Sequence, residues 1–342
     1  MYERIIISAL VTALTVFLIT PKIMKYFKQI GLIGINQAKK IKQIIPESGG
    51  TAIAFGFFAG IMTYLAISTF LIPSNINTTT LLAALVTVQT IALIGFFDDI
   101  MTKKTTTKDI HGDTNYRVGL RQRTKALLVL PAAIPLMVIN AGHSTMAIPF
   151  IGTINFGILY PLLLIPIGVL CVANAVNMLA GLNGLESGMT TIALTALGIY
   201  AALNHETEAA VIAFIGATAF LTFLYFNKYP AKIFPGDTGT YLAGALIATV
   251  VIIGNMEKFG VIIFTPWIIE AFIKLKTKFK GTSFGKLTKK GYLKPKNNKI
   301  ESLTHVIMNL GNFTEKQVVQ ILWLIEIAVT ITAFLLWNNG II

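Results

Sequence analysis

Ten stretches of this 342-residue chain, near residues 5–26, 50–72, 79–97, 125–141, 156–175, 187–203, 207–226, 238–255, 259–274 and 316–337, are apolar over enough length to cross a bilayer. A hydrocarbon core of about 30 Å takes roughly 20 residues of helix, fewer where a short helix is shielded by its neighbours. Inside it no water satisfies backbone N–H and C=O groups, so such runs must be helical. The fourth run holds Pro131 and Pro135, which membrane helices tolerate when neighbours take up the freed carbonyls. Composition agrees, at 13% charged residues against roughly 25% in soluble proteins. The expected fold is an all-α polytopic integral membrane protein of about ten transmembrane helices. It forms a single transmembrane domain over 1–342, with 275–315 as a long cytoplasmic loop or small subdomain before the last span.

The basic residues give an independent test of orientation. An even number of spans puts both termini on one side, and with both outside the cytoplasmic segments hold 6 basic residues (22–42), 7 (103–125), 2 (228–232) and 11 (274–316). That is 26 of 28, with Arg4 and Lys258 left outside, as the positive-inside rule requires. The first run has no basic flank before it beyond Arg4 and is followed by Lys22, Lys25 and Lys28, which predicts an uncleaved first span. The net charge of +13 therefore reports membrane orientation, nucleic acid is not expected, and the expected location is the cell membrane with the catalytic loops cytoplasmic. The single cysteine, Cys171, excludes an intramolecular disulfide.

Polar residues that hydropathy does not explain gather at the cytoplasmic ends of four remote spans, where they are costly and tend to be functional. Asp98 and Asp99 end the third span; Asn174 and Asn177 share a helix face in the fifth; Asp237 opens the eighth; Glu47 precedes the second. Each has a blander reading. The Asp pair and Asp237 could be helix caps, and the two Asn interhelical hydrogen-bond partners. Together, oxygen donors without His or Cys clusters suit Mg²⁺, with Mn²⁺ as the alternative, and such ions share their shell with phosphate. Arg117, Arg121, Arg123 and Lys125 could supply countercharge to a pyrophosphate.

Four motifs, Pro46-Glu47-Ser48-Gly49-Gly50, Gly95-Phe96-Phe97-Asp98-Asp99, Asn174 through Glu186, and Phe234-Pro235-Gly236-Asp237, resemble in order and spacing the polyprenyl-phosphate N-acetylhexosamine-1-phosphate transferases. The Asn-to-Glu block, with Ala180-Gly181 where bacterial members usually carry Asp-Gly, looks most like the archaeal and eukaryotic dolichyl-phosphate branch. The resemblance implies transfer of N-acetylglucosamine 1-phosphate, or a close N-acetylhexosamine 1-phosphate, from a UDP-sugar to a polyprenyl or dolichyl phosphate, with release of UMP. By match to the motifs, Asn177 and Asp237 would hold Mg²⁺, Asn183 and Phe234 would contact uracil, and Lys125 would bind phosphate. Asp98 and Asp99 would be the catalytic pair. Glu47, Asn174, Glu186, Arg121 and Arg123 complete the implied substrate-binding set.

One stretch departs from the family. Where members carry a His-rich or His/Arg-rich motif before the last span, this chain keeps only His305, which argues against a muramoyl-pentapeptide donor. His305 is expected either to contact the reacting groups or to make a structural hydrogen bond. Lys294, Lys296 and Lys299 are the candidate replacements for sugar recognition. Glu270 is expected to pair with Lys274, while Glu326 has no evident partner. The expected partners are the UDP-N-acetylhexosamine, the lipid phosphate and membrane lipid, with a homodimer allowed. The competing classes are a secondary transporter, which would place its polar residues near the midplane, and a non-catalytic lipid-binding membrane protein.

Overall fold

The structure, a computed structural model, describes residues 2–36, 43–73, 76–101, 103–109, 112–118, 122–148, 152–296 and 299–341. It is mostly helical. In chain order the helices are α1 (Tyr2–Gln29), α2 (Gly50–Ala66), α3 (Thr78–Met101), α4 (Gln122–Ala132), α5 (Ile134–Val138), α6 (Ile165–Met178) and α7 (Leu185–Leu203). They continue with α8 (Thr207–Asn227), α9 (Gly236–Ile253), α10 (Glu257–Ile263), α11 (Thr265–Lys276), α12 (Leu303–Leu310) and α13 (Glu315–Asn338). A π-helical turn, Ile67–Leu71, extends α2, and another, Tyr160–Leu164, leads into α6.

Among the described residues seven helices are long and apolar enough to cross a membrane: α1, α2 with its π-turn, α3, α6 with its π-turn, α8, α9 and α13. The chain is a polytopic membrane protein. Three of the ten predicted spans take a different form. The run at 125–141 divides into α4 and α5, with Pro135 in the first turn of the second piece. That at 259–274 divides into α10 and α11, with Pro266 in the same position. Proline lacks the N–H that a continuing helix would need and suits a first turn, so each break falls where the sequence allows it. The run at 187–203 is α7, a 19-residue helix carrying Glu186, Ser187 and three threonines.

Four two-stranded antiparallel hairpins, which apolar runs do not foreshadow, join the helices. They are β1–β2 (Ile33–Asn36, Gln43–Pro46), β3–β4 (Lys103–Asp109, Gly112–Val118), β5–β6 (Thr145–Ile148, Gly152–Asn155) and β7–β8 (Gly285–Leu287, Leu293–Pro295). The last, with α12, occupies the connection from α11 to α13.

The bundle is built around α9, which is buried nearly throughout and packs on α2, α3, α6, α7 and α8. Outer helices present large exposed apolar side chains, including Leu10 and Leu14 of α1 and Phe70 at the end of the α2 extension, as a surface facing lipid would. Small residues let backbones meet inside: a Cβ at Gly244 of α9 would lie 2.5 Å from the Ala173 Cα of α6.

Candidate active site

Two motifs lying 190 residues apart are joined through their backbones. Phe234 N–H donates to the Pro46 carbonyl (2.9 Å), Gly49 N–H to Phe234 (2.8 Å) and Gly50 N–H to Pro235 (2.8 Å). Ser48 and Thr238 hydroxyls meet at 2.7 Å. The helices that follow cross without side chains between them. A Cβ on Gly50 would overlap the Gly239 backbone, and one on Gly95 of α3 would lie 2.5 Å from the Asp237 carbonyl oxygen. The N-termini of α2 and α9 and the C-terminal half of α3 thereby converge on one point.

The two aspartates of α3 do different things there. Both carboxylate oxygens of Asp99 accept hydrogen bonds from the first turn of α9: Oδ1 from Asp237 N–H (2.8 Å), Oδ2 from Thr238 N–H (3.1 Å) and the Thr238 hydroxyl (2.7 Å). Asp99 thus caps a helix of another segment, satisfying N–H groups that the helix itself leaves orphaned. Gly236, at φ +68°, supplies the turn before it, and a side chain there would overlap Asp99 Oδ2. Asp98 faces the other way, and the Lys125 ammonium from α4 bridges Asp98 and Asp237. Asp237 Oδ1 also accepts from Asn177 Nδ2 (2.7 Å), which bonds in addition to the Thr240 hydroxyl (2.8 Å). Lys125 lies 5.5 Å from the centre of the Tyr241 ring, whose hydroxyl donates to Asn174 Oδ1 (3.1 Å).

Asp98, Asp99, Lys125, Asn174, Asn177 and Asp237 therefore share one cluster. Ser48, Thr238, Thr240 and Tyr241 belong to it as well; isolated hydroxyls gave no sequence signal beyond their place beside the motifs. Glu47 stands half-buried at the end of β2. Arg121 lies outside the described residues, as do the side chains of Arg117 and Arg123.

Beside the cluster, the turn between α6 and α7 holds Asn183, and the first turn of α7 holds Glu186. Glu186 Oε1 accepts from Gly181 N–H, and its Oε2 is buried without a partner. Asn183 N–H donates to Glu315 Oε1 (2.9 Å), while both polar atoms of its carboxamide are buried and unsatisfied. Leaving such atoms without partners costs about 1–3 kcal/mol, and a polar ligand would relieve it.

His305 lies away from these groups in its contacts. It is buried, with Nδ1 accepting from Glu301 N–H (3.2 Å) and Nε2 3.0 Å from the Phe284 carbonyl. Its Nδ1 also lies 3.2 Å from the Lys299 carbonyl, so the ring is held by backbone groups of the segment before α12 and of Phe284. Lys294 donates to the Met308 and Gly311 carbonyls (3.0 and 2.8 Å), closing the end of α12. The expected Glu270–Lys274 pair is present at 3.3 Å.

Among the described residues no three His, Cys, Asp or Glu side chains are grouped to hold a metal by themselves. Asp98 and Asp237 instead meet on one ammonium beside the Asn177 amide. An oxygen donor set with two carboxylates fits Mg²⁺, which takes one or two from protein and completes its shell with phosphate and water.

The sequence profile of glycosyl transferase family 4 matches residues 81–255, a stretch containing the whole carboxylate, lysine and amide cluster. A protein of Saccharolobus solfataricus is 38% identical over 341 residues, 99% of this chain and 98% of its own length. The chain belongs to glycosyl transferase family 4. That full-length relative bears the provisional name UDP-N-acetylglucosamine–dolichyl-phosphate N-acetylglucosaminephosphotransferase. A Dictyostelium discoideum protein of the same name without the qualifier is 26% identical over 75% of this family 4 chain and 68% of its own. A Clostridium beijerinckii phospho-N-acetylmuramoyl-pentapeptide-transferase is 38% identical, over 52% of this chain and 53% of its own.

Proposed function

We propose that this family 4 protein transfers N-acetylglucosamine 1-phosphate, or a close N-acetylhexosamine 1-phosphate, from its UDP-sugar to a polyprenyl or dolichyl phosphate in the membrane. An oxygen of the lipid phosphate attacks the donor's β-phosphorus. The bond from that phosphorus to the bridging oxygen breaks, and UMP leaves with the oxygen. The observation that carries the reading is the meeting of Asp98, Lys125, Asn177 and Asp237 at the ends of four segments, next to a turn with an unsatisfied buried carboxamide.

Charge decides the division of labour. The donor pyrophosphate and the lipid phosphate are both anionic, and they would meet Asp98 and Asp237, two carboxylates with one ammonium between them. Asp237 and the Asn177 amide oxygen would hold Mg²⁺ or Mn²⁺, which supplies charge neutralisation to the pyrophosphate. Lys125 orients and offsets phosphate charge, the usual protein contribution to phosphoryl transfer. A phosphate monoester with second pKa near 6 is largely dianionic at pH 7, so Asp98 need not remove a proton. It positions Lys125 against the reacting phosphate. The Asn183 carboxamide offers the donor and acceptor that a uracil edge requires, with Glu186 fixing the turn through Gly181 N–H and Phe234 as the second expected uracil contact.

The 26-to-2 division of basic residues supports ten spans with both termini outside and a site on the cytoplasmic face of the cell membrane. Purified protein given UDP-N-acetylglucosamine, Mg²⁺ and a polyprenyl phosphate should release UMP, and UDP-muramoyl-pentapeptide should not replace the donor. No UMP with any UDP-N-acetylhexosamine, or efficient use of the pentapeptide donor, would refute the assignment.

A further inference from the structure

Glu270, in α11, is fully buried far from the carboxylate cluster in sequence and gathers partners from three segments. Its Oε2 accepts from Ser302 Oγ (3.0 Å) and Leu303 N–H (2.6 Å), capping α12, while Oε1 faces the buried Lys274 ammonium at 3.3 Å. Lys274 also donates to the Gly281 carbonyl and to Ser283 Oγ, both at 3.0 Å. The outermost member of this knot is Ser283. A hydroxyl has one proton; with Lys274 filling a lone pair, that proton is directed to the Met178 carbonyl at 2.9 Å rather than to Glu270 Oε1 at 3.3 Å.

Met178 is the last residue of α6, where carbonyls have no partner within the helix, and it directly follows Asn177. The next residue of the knot, Phe284, sits against Gly181: a Cβ there would be 2.5 Å from the ring, and φ at Gly181 is +115°. His305 holds the Phe284 carbonyl, and the Thr304 hydroxyl holds that of Ser283 (2.7 Å). Two neighbouring residues from the α11–α12 connection thus grip both ends of the stretch from Asn177 to Gly181.

We propose that Ser283, held in place by the buried Glu270–Lys274 pair, is a positioning residue that fixes the end of α6 and the Leu179–Gly184 turn for the donor. It touches no reacting group and acts through Asn177 and the turn carrying Asn183. The inference rests on the reading of that turn as the donor-binding element.

Glu270→Gln would strand a buried ammonium and threatens folding, so Ser283→Ala, which keeps the ion pair, carries the test. Two measurements on the full-length protein separate the possible failures. Amide hydrogen exchange without substrate should be about tenfold faster over residues 178–186 in Ser283→Ala, with α9 unchanged; such a factor corresponds to one lost hydrogen bond. In UMP-release assays the KM for UDP-N-acetylglucosamine should rise about tenfold, with kcat and the lipid-phosphate KM within about twofold. Unchanged exchange over 178–186, or a loss of kcat without a change in donor KM, would overturn the positioning role. If the wild type releases no UMP, the proposed reaction falls, and the exchange measurement still decides whether Ser283 fixes the turn.

Discussion

Adjacent aspartates with opposite surroundings make a sharp experiment. Asp237 meets both Lys125 and Asn177, so Asp237→Asn should abolish transfer and weaken Mg²⁺-dependent donor binding while the protein stays folded. Asp98→Asn should lower turnover by a factor on the order of 100 to 1,000, the range seen when one electrostatic partner of a transition state is removed, with donor affinity and melting temperature largely kept. Asp99→Asn turns an amide toward the donors of the first turn of α9; turnover should fall too, with about 1–3 kcal/mol of stability lost. UMP release, donor titration at limiting Mg²⁺ and thermal melts distinguish the three. Near-normal activity of Asp237→Asn at limiting Mg²⁺ would remove it from the metal assignment. The cluster is legible in sequence because its carboxylates and amides sit inside short contiguous motifs and Lys125 in a basic stretch between two of them. The separation of roles between Asp98 and Asp99 is not, since it depends on which way each side chain leaves the last turn of α3. The wider contacts of Glu270 and Ser283 are likewise not legible, because their partners Met178, Ser302 and Leu303 lie on other segments.

At the scale of elements, apolar length located the helices, and a first-turn proline marks two of the breaks, whereas Pro21 leaves α1 continuous. Length alone could not show that 125–141 and 259–274 each become two pieces, because a break at a first-turn proline leaves mean apolarity unchanged. The hairpins leave no sequence signature for another reason: strands of three to seven residues, such as Gly285–Leu287 and Lys103–Asp109, lack the alternation that marks a buried face. Helix contacts at glycine give a prediction belonging to α6 and α9 as units. Gly244→Val would force the backbones of α9 and α6 apart at Ala173, at a cost on the order of 1–3 kcal/mol. Because α6 carries Asn177 and α9 carries Asp237, the donor KM should rise although position 244 lies two turns from the site. A variant that melts early but binds donor normally would show that the two helices do not set that distance.

For the molecule as a whole, the basic residues divide the surface into two unequal sides, and this is open to chemical labelling. Cysteines placed at Thr107 and Lys289, in a Cys171→Ser background free of other thiols, should resist a membrane-impermeant reagent in intact cells and react after permeabilisation. Reaction of either in intact cells would reverse the proposed topology and move the site to the other face.

The backbone pairing of Pro46–Gly50 with Phe234–Pro235 has an outcome for the chain as a covalent object. A cut in the connection between α7 and α8 would leave Asp98, Asp99, Lys125 and Asn177 on one polypeptide and Asp237 on the other. Neither fragment could assemble a centre alone. Each would nonetheless carry one side of a preformed seam, since α7 and α8, α3 and α9, and α2 and α9 already pack as pairs across the cut. Co-expressed halves should therefore restore UMP release from two silent parts, a reporter whose background is zero by construction.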